Sequence, residues 1–218
     1  MRPEPLILAF DTSAAHCAAA LLQGDRVLAE AAEPMDKGQA ERLMPLLTEL
    51  LGEAGAGWRD LHAIGVGIGP GNFTGVRISV AAARGLALAL GIPAVGVSAL
   101  EALAFGAEGL RAASLDARQG RLYVQVFGPQ EAETPVLCDP ATLPAIPTGQ
   151  PPLCIGHDAD RIASITGGRV APPRYPLAEA TARIAALRWQ AAPARPAPLY
   201  LRPADALPSR EAAPRILT

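Results

Sequence analysis

Between an apolar run, "LHAIGV", and an alanine-rich run, "ISVAAARGLALAL", the chain reads "GIGPGNFTGVR", Gly67 to Arg77, and this stretch restricts the fold more than any other. Glycines at 67, 69, 71 and 75, with Pro70 among them, make a corner where the backbone can take positive φ or let another segment come close. The residues before it read as a buried strand. Those after it, Gly75 to Leu90, read as a helix ended by Gly91 and Pro93.

Two readings of this corner stay open: tight packing between a strand and a helix, or an anion cradle at a helix N-terminus, where free N–H groups and the dipole favour negative charge. The spacing lacks the lysine of GxxxxGK[ST], which excludes a P-loop. It is also a poor dinucleotide fingerprint, because a proline and an aromatic ring fall where helix and pyrophosphate should meet, and no acidic residue closes the next strand. Asn72 or Thr74 is placed to cap the helix. Arg77 lies in the first turn, where a cation opposes the dipole, and so calls for a partner, a phosphate or a carboxylate. Asn72, Thr74, Gly75 and Arg77 are therefore the candidate anion contacts of this corner.

At 218 residues and half apolar, the chain can bury a core as one domain or two small lobes. The formal net charge of -2 and the lack of a lysine or arginine cluster give no face for a phosphate backbone, so any nucleic acid must be held by another subunit. Cys17, Cys138 and Cys154 are odd in number and without CxxC spacing, as expected of small core residues in a reducing cytoplasm. The apolar start "MRPEPLILAFDTS" is interrupted at Asp11, too short for a signal segment, and no later apolar run of about 20 residues is free of glycine and charge. The expectation is a cytoplasmic protein with no membrane association.

"LILAFDTS" reads as a buried strand, and "CAAALLQGDRVLAEAAE" as two more joined at Gly24-Asp25. From Gly38 to Gly55 the leucines 43, 46, 47, 50 and 51 recur at three and four residues, which predicts a helix that Pro45 starts or kinks. "AVGVSAL" predicts a short strand leading into a helix near Leu100 to Glu108, and "AASLDARQGRLYVQVF" a hairpin with "ARQG" as its turn. After Pro129 the pattern is proline-rich until "LAEATARIAALRWQA", Leu177 to Ala191, a further helix. From Pro193 onward proline recurs, predicting an extended arm or partly disordered tail. A composition change near Gly106 to Ala112 divides the chain into a first lobe at 1–106, a reduced second lobe at 107–192 and an arm at 193–218.

"ILAFDTS", "GIGPGNFTGVRISVAAARGLALALGIPAVGVSALEALA", "SLDARQGRLYVQVF" and "PLYLRPADA", in that order, resemble the bacterial TsaB family, also called YeaZ, over nearly the whole chain. The resemblance implies an α/β, two-lobed actin-like ATPase and sugar-kinase fold with mixed sheets, its second lobe reduced. It also implies a place in making threonylcarbamoyladenosine in transfer RNA: a non-catalytic scaffold for the larger paralogue TsaD, acting with the small ATPase TsaE, a homodimer when alone, and meeting tRNA only indirectly.

In active members of that fold, glycine-rich turns of two hairpins approach nucleotide phosphates and an acidic residue manages the metal. Here Asp11 and Asp116 stand at the corresponding turns, "DTSAAHC" and "DARQG", but neither turn can wrap phosphates as a kinase loop does. They join Asn72, Thr74, Gly75 and Arg77 as candidate nucleotide contacts, with ATP or ADP expected only within the complex and no cofactor on the isolated chain. TsaD carries a metal-binding histidine pair on the helix after its signature; "SALEALAFGAEG" has none, and His16, His62 and His157 lack ligand spacing, so no metal site is expected. An older protease label attaches to relatives, yet Ser13 and Ser98 lack a GxSxG context. For isolated helices the leucine and alanine stripes are expected to pack on their own sheet. The resemblance instead implies a helical bundle with TsaD or a second copy, through Leu43, Leu46, Leu47 and Leu50 with Val76, Val80, Ala83 and Ala87. A self-sufficient kinase-like enzyme using Asp11, the corner and Asp116 is the alternative. The stretch "DKGQAERLMP" departs from relatives, which often carry a histidine and serine before the glutamate, so a polar contact made there is not expected here.

Overall fold

The computed structural model describes residues 4–128, 132–146, 150–191 and 194–202. Two five-stranded sheets organise them. In the first, β1 (Leu6–Asp11), β2 (His16–Gln23) and β3 (Arg26–Pro34) form an antiparallel meander, and β4 (Ala63–Gly67) and β5 (Ala94–Val97) add in parallel on the far side of β1. The second repeats this plan with β6 (Arg111–Asp116), β7 (Leu122–Phe127), β8 (Val136–Cys138), β9 (Leu153–Gly156) and β10 (Arg169–Val170). The orders β3-β2-β1-β4-β5 and β8-β7-β6-β9-β10 are the same topology used twice. This duplicated mixed sheet is the two-lobed α/β fold that the resemblance implied.

Side-chain alternation along β1 decides what covers the first sheet. Leu6, Leu8 and Phe10 face α1 (Gln39–Glu53), where Leu43, Leu46, Leu47, Leu50 and Leu51 meet them, while Ile7 and Ala9 face α5 (Leu177–Arg188) through Ala180, Ile184 and Ala185. Both faces are covered, so β1 is apolar throughout except at Asp11. Gly65 lets α5 approach: a Cβ there would stand 3.0 Å from the Cβ atoms of Ala9 and Ala185. α1 runs through Pro45, which lies on its exposed side, so neither a start nor a break is needed there.

The helix expected at Gly75 begins slightly earlier, as α2 (Phe73–Leu90), and packs beside α1 on the same sheet face. α3 (Ala99–Ala104) is shorter than predicted and lies between the lobes, with Leu100 and Ala104 packed on the second sheet and Ala102 joined to α5. α4 (Ala159–Thr166) covers the other face of the second sheet through Ile162 and Ala163.

The division at 106/107 needs one correction. α5, placed by sequence in the second lobe, returns to close the first, because its alanine face fits the flat, small-residue side of β1 and β4. Of the proposed arm, residues 194–202 are extended over both lobes, and 203–218 lie outside the described residues.

Candidate functional site

The turn after β1 and the glycine corner fit together as one piece. Asp11 is fully buried, and its Oδ1 accepts hydrogen bonds from the Ser13 amide at 2.8 Å and the Ser13 hydroxyl at 2.9 Å, with His16 Nε2 at 2.9 Å. The carboxylate thus holds its own turn, as Asx turns do. Thr12 Oγ1 donates to the Gly75 carbonyl at 2.7 Å and lies 3.0 Å from Ser79 Oγ, and the Asn72 amide donates to the Ser13 carbonyl at 2.6 Å.

Glycine is needed where these segments touch. A Cβ on Gly67 would overlap the Asp11 carboxylate, one on Gly71 the Ser13 carbonyl, and one on Gly75 the Thr12 carbonyl. At the helix start, Asn72 Oδ1 accepts from the Thr74 amide at 3.0 Å and the Gly75 amide at 3.1 Å. The cap therefore occupies donors that an anion at this N-terminus would use. Close packing of the two segments accounts for Gly67, Gly71 and Gly75.

Arg77, for which a phosphate or a carboxylate was expected, is engaged by aromatic side chains among the described residues. Its Nε donates to the Tyr200 hydroxyl at 2.8 Å, and its guanidinium lies 3.7 Å from the centroid of Phe73. A cation unfavourable to the dipole is thus held over the electron-rich face of an aromatic ring. Asp116 ends β6 in the second lobe, exposed, and accepts from the Arg118 amide at 2.8 Å. Asp11, Asn72, Thr74 and Gly75 are brought together; Asp116 caps a separate turn.

The bundle residues also need correction. Leu43, Leu46, Leu47, Leu50, Val76, Val80 and Ala83 are buried in the core of this chain, and Ala87 is packed half-buried against it. They face inward because β1, β2 and β4 offer the apolar surface that the stripe requires. The outer side of α2 is different: Ala81, Arg84, Gly85, Leu88 and Ala89 are exposed, and Leu88 is 84 % accessible. By length and composition α2 is the one described helix apolar enough to cross a membrane, yet only 28 % of it is buried. α1 adds Met44 and Pro45 outward beside it. Leu88, Met44 and Tyr200 were not singled out from sequence, although for Leu88 the apolarity of α2 on all sides was an available signal.

The other reactive groups are spoken for. Ser13 Oγ is buried and donates to Asp11, and His16 Nε2 meets the same carboxylate and not the serine hydroxyl. His62 Nδ1 accepts from the Leu6 amide at 3.1 Å, while His157 lies 3.8 Å from Asp158 at the surface. Among the described residues no three His, Cys, Asp or Glu side chains gather as a metal site. Burial pushes the Cys17 thiol up to about 11 and raises Cys138 and Cys154, the opposite of an activated cysteine.

On α1, Arg42 bridges Glu33 of β3, at 2.7 and 2.6 Å, and Glu49 of its own helix, at 2.8 and 2.6 Å. Hydrogen bonds from Arg42 hold both carboxyls below their ordinary range. Groups lowered in the folded state add stability above the unfolded value, near 4.5, and lose it as pH falls through the folded value. Glu33→Gln with Glu49→Gln should therefore lower the melting temperature at pH 7, with the gap closing below pH ~4. A gap that persists unchanged in acid would show that the charges are not its source.

The family model described as TsaD, tRNA N6-adenosine threonylcarbamoyltransferase, matches residues 27–147. The Bacillus subtilis tRNA threonylcarbamoyladenosine biosynthesis protein TsaB is 41 % identical over 124 residues, 56 % of this chain and 54 % of that protein. The chain thus spans about half the length of the first of its named relatives. An uncharacterized Mycobacterium tuberculosis protein is 32 % identical over 216 residues, 93 % of this chain and 94 % of its own length. Among solved structures, YeaZ from Pseudomonas aeruginosa superimposes with a TM-score of 0.75 at 30 % identity, covering 90 % of this chain and all of that one.

Proposed function

This chain belongs to the TsaB (YeaZ) family, and from that premise we propose that it is a non-catalytic scaffold for threonylcarbamoyl transfer to adenosine in transfer RNA. Its partner in this reading is the catalytic paralogue TsaD, with TsaE as the accompanying ATPase, in the cytoplasm. Alone, it pairs with a second copy through the same helices. The observation that carries the proposal is the outer side of α2, where small residues and Leu88 surround Arg84 on a helix whose inner side is already committed to the core. A face of this kind suits close approach of another helix, and helices pairing there would give an interface of standard size, about 1,600 Å² in total.

The state of the first turn supports the same reading. Asp11 is consumed by Ser13 and His16, the corner is filled, and the Asp116 turn contains Arg118 and Gln119 in place of flexible glycines. ATP or ADP, in this proposal, is met at the assembled complex. tRNA is met through the partner, as the net charge of -2 suits.

Size-exclusion of the full chain with TsaD from the same organism, followed by transfer assays with TsaE, ATP and tRNA, tests the proposal. A stable complex and transfer that requires this chain are expected. Nucleotide turnover by the chain alone, abolished by Asp11→Asn or Asp116→Asn, would instead establish a self-sufficient kinase-like enzyme.

A further inference from the structure

Residues 194–202 have no regular secondary structure, yet they join parts of the protein that are distant in sequence. Pro196 is buried beside Gly96, whose Cβ would stand 3.5 Å away, and the Leu199 amide donates to the Ile68 carbonyl at 2.8 Å. The next residue changes partner. Tyr200 accepts from Arg77 Nε at 2.8 Å, and its ring centroid is 4.9 Å from that of Phe73, in the first turn of α2.

Leu201 and Arg202 then engage the second lobe. Leu201 packs with Ala113, Ala117 and Tyr123, and Arg202 Nη2 donates to Gln119 Oε1 at 3.1 Å. The turn it holds is unusual: Arg118, Gln119 and Gly120 are successively left-handed, with φ of 59°, 54° and 69°. Side-chain-bearing residues resist this conformation, and runs of it are rare. Asp116 braces the turn from within through the Arg118 amide, and Arg202 braces it from outside.

We infer that residues 196–202 form a clasp coupling the first turn of α2 to the β6–β7 turn, so that an event on the outer face of α2 is transmitted to the second lobe. The clasp stands on the contacts above. Only the identity of that event, docking of the TsaD paralogue, rests on the proposed function. Coupling of this kind is reciprocal, which makes it distinguishable from ordinary packing.

Amide hydrogen exchange on full-length variants tests it. Tyr200→Ala and Arg77→Gln alter only the α2 end, yet each should speed exchange about fivefold or more at the Ala117 amide, which bonds to the Arg121 carbonyl. Arg202→Ala and Gln119→Ala alter only the second lobe and should speed exchange by a comparable factor at the Val76 amide, which bonds to the Asn72 carbonyl. Unchanged protection in β2 and β3 verifies folding of each variant. Effects confined to the lobe that carries the substitution would overturn the clasp. Added TsaD should slow exchange at Ala117 in the unaltered protein and not in Tyr200→Ala. Failure of this last arm alone would remove the docking reading and leave the clasp standing.

Discussion

Gly75→Ala is expected to destabilise the protein by about 3 kcal/mol, whereas Gly85→Ala, on the same helix, should stabilise it by about 1 kcal/mol. Composition does not distinguish the two residues; their surroundings do. A methyl group on Gly75 would stand 1.9 Å from the Thr12 carbonyl oxygen, which is backbone and cannot swing aside. To admit it, the turn after β1 must lift away from α2. That movement stretches the Thr12 hydroxyl bond to the Gly75 carbonyl and the Asn72 amide bond to Ser13. At Gly85 nothing stands within 4 Å of the added carbon, so only the gain in helix propensity remains. Urea denaturation of both variants gives the difference directly. Equal destabilisation at the two positions would mean that the corner is not the tight seat described above, and a neutral Gly75→Ala would reopen it as space for a ligand.

The same glycines show how far the sequence could be read. The motif announced a close approach, but the approaching segment, Asp11 to Ser13, lies more than fifty residues earlier, and no local pattern points to it. Periodicity located the helices at 39–53, 73–90 and 177–188 within a few residues. It could not say which sheet covers a stripe. For an isolated helix the leucine stripe is expected on its own sheet, and β1 and β2 do cover Leu47; the resemblance, not the period, gave it to a partner, while α5, read by position as part of the second lobe, is received by Ala9 and Gly65. β8, β9, α4 and β10 were missed because each is short, and α4 buries only Ala159, Ile162 and Ala163, too few positions to rise above a proline-rich background. Tyr200 was invisible for another reason. Its partner Arg77 is 123 residues away, and an extended segment carries no period that would reveal which of its side chains are used.

The two faces of the α1 and α2 layer lead to opposite outcomes for substitutions that look alike on a helical wheel. Leu47→Ala removes a fully buried side chain from the cluster containing Phe10 and Leu21, at a cost of about 2–5 kcal/mol. Any loss of complex in that variant follows from loss of fold, and it should refold and bind under stabilising conditions. Leu88→Asp replaces a side chain that is 84 % accessible, so the loss of stability should be limited to about 1 kcal/mol, from aspartate's lower helix propensity and a carboxylate in the last turn of α2. In a helix-to-helix interface, however, a carboxylate there would be desolvated against apolar groups, and Arg84, one turn earlier on the same exposed side, offsets only part of that cost. Affinity for TsaD, and self-association of the free protein, should each weaken about 30-fold or more, the effect of a central interface residue worth about 2 kcal/mol. Sedimentation measurements paired with thermal melts separate the two cases. A Leu88→Asp protein that melts normally and still forms both assemblies would exclude the outer face of α2 as the docking surface, whatever Leu47→Ala does.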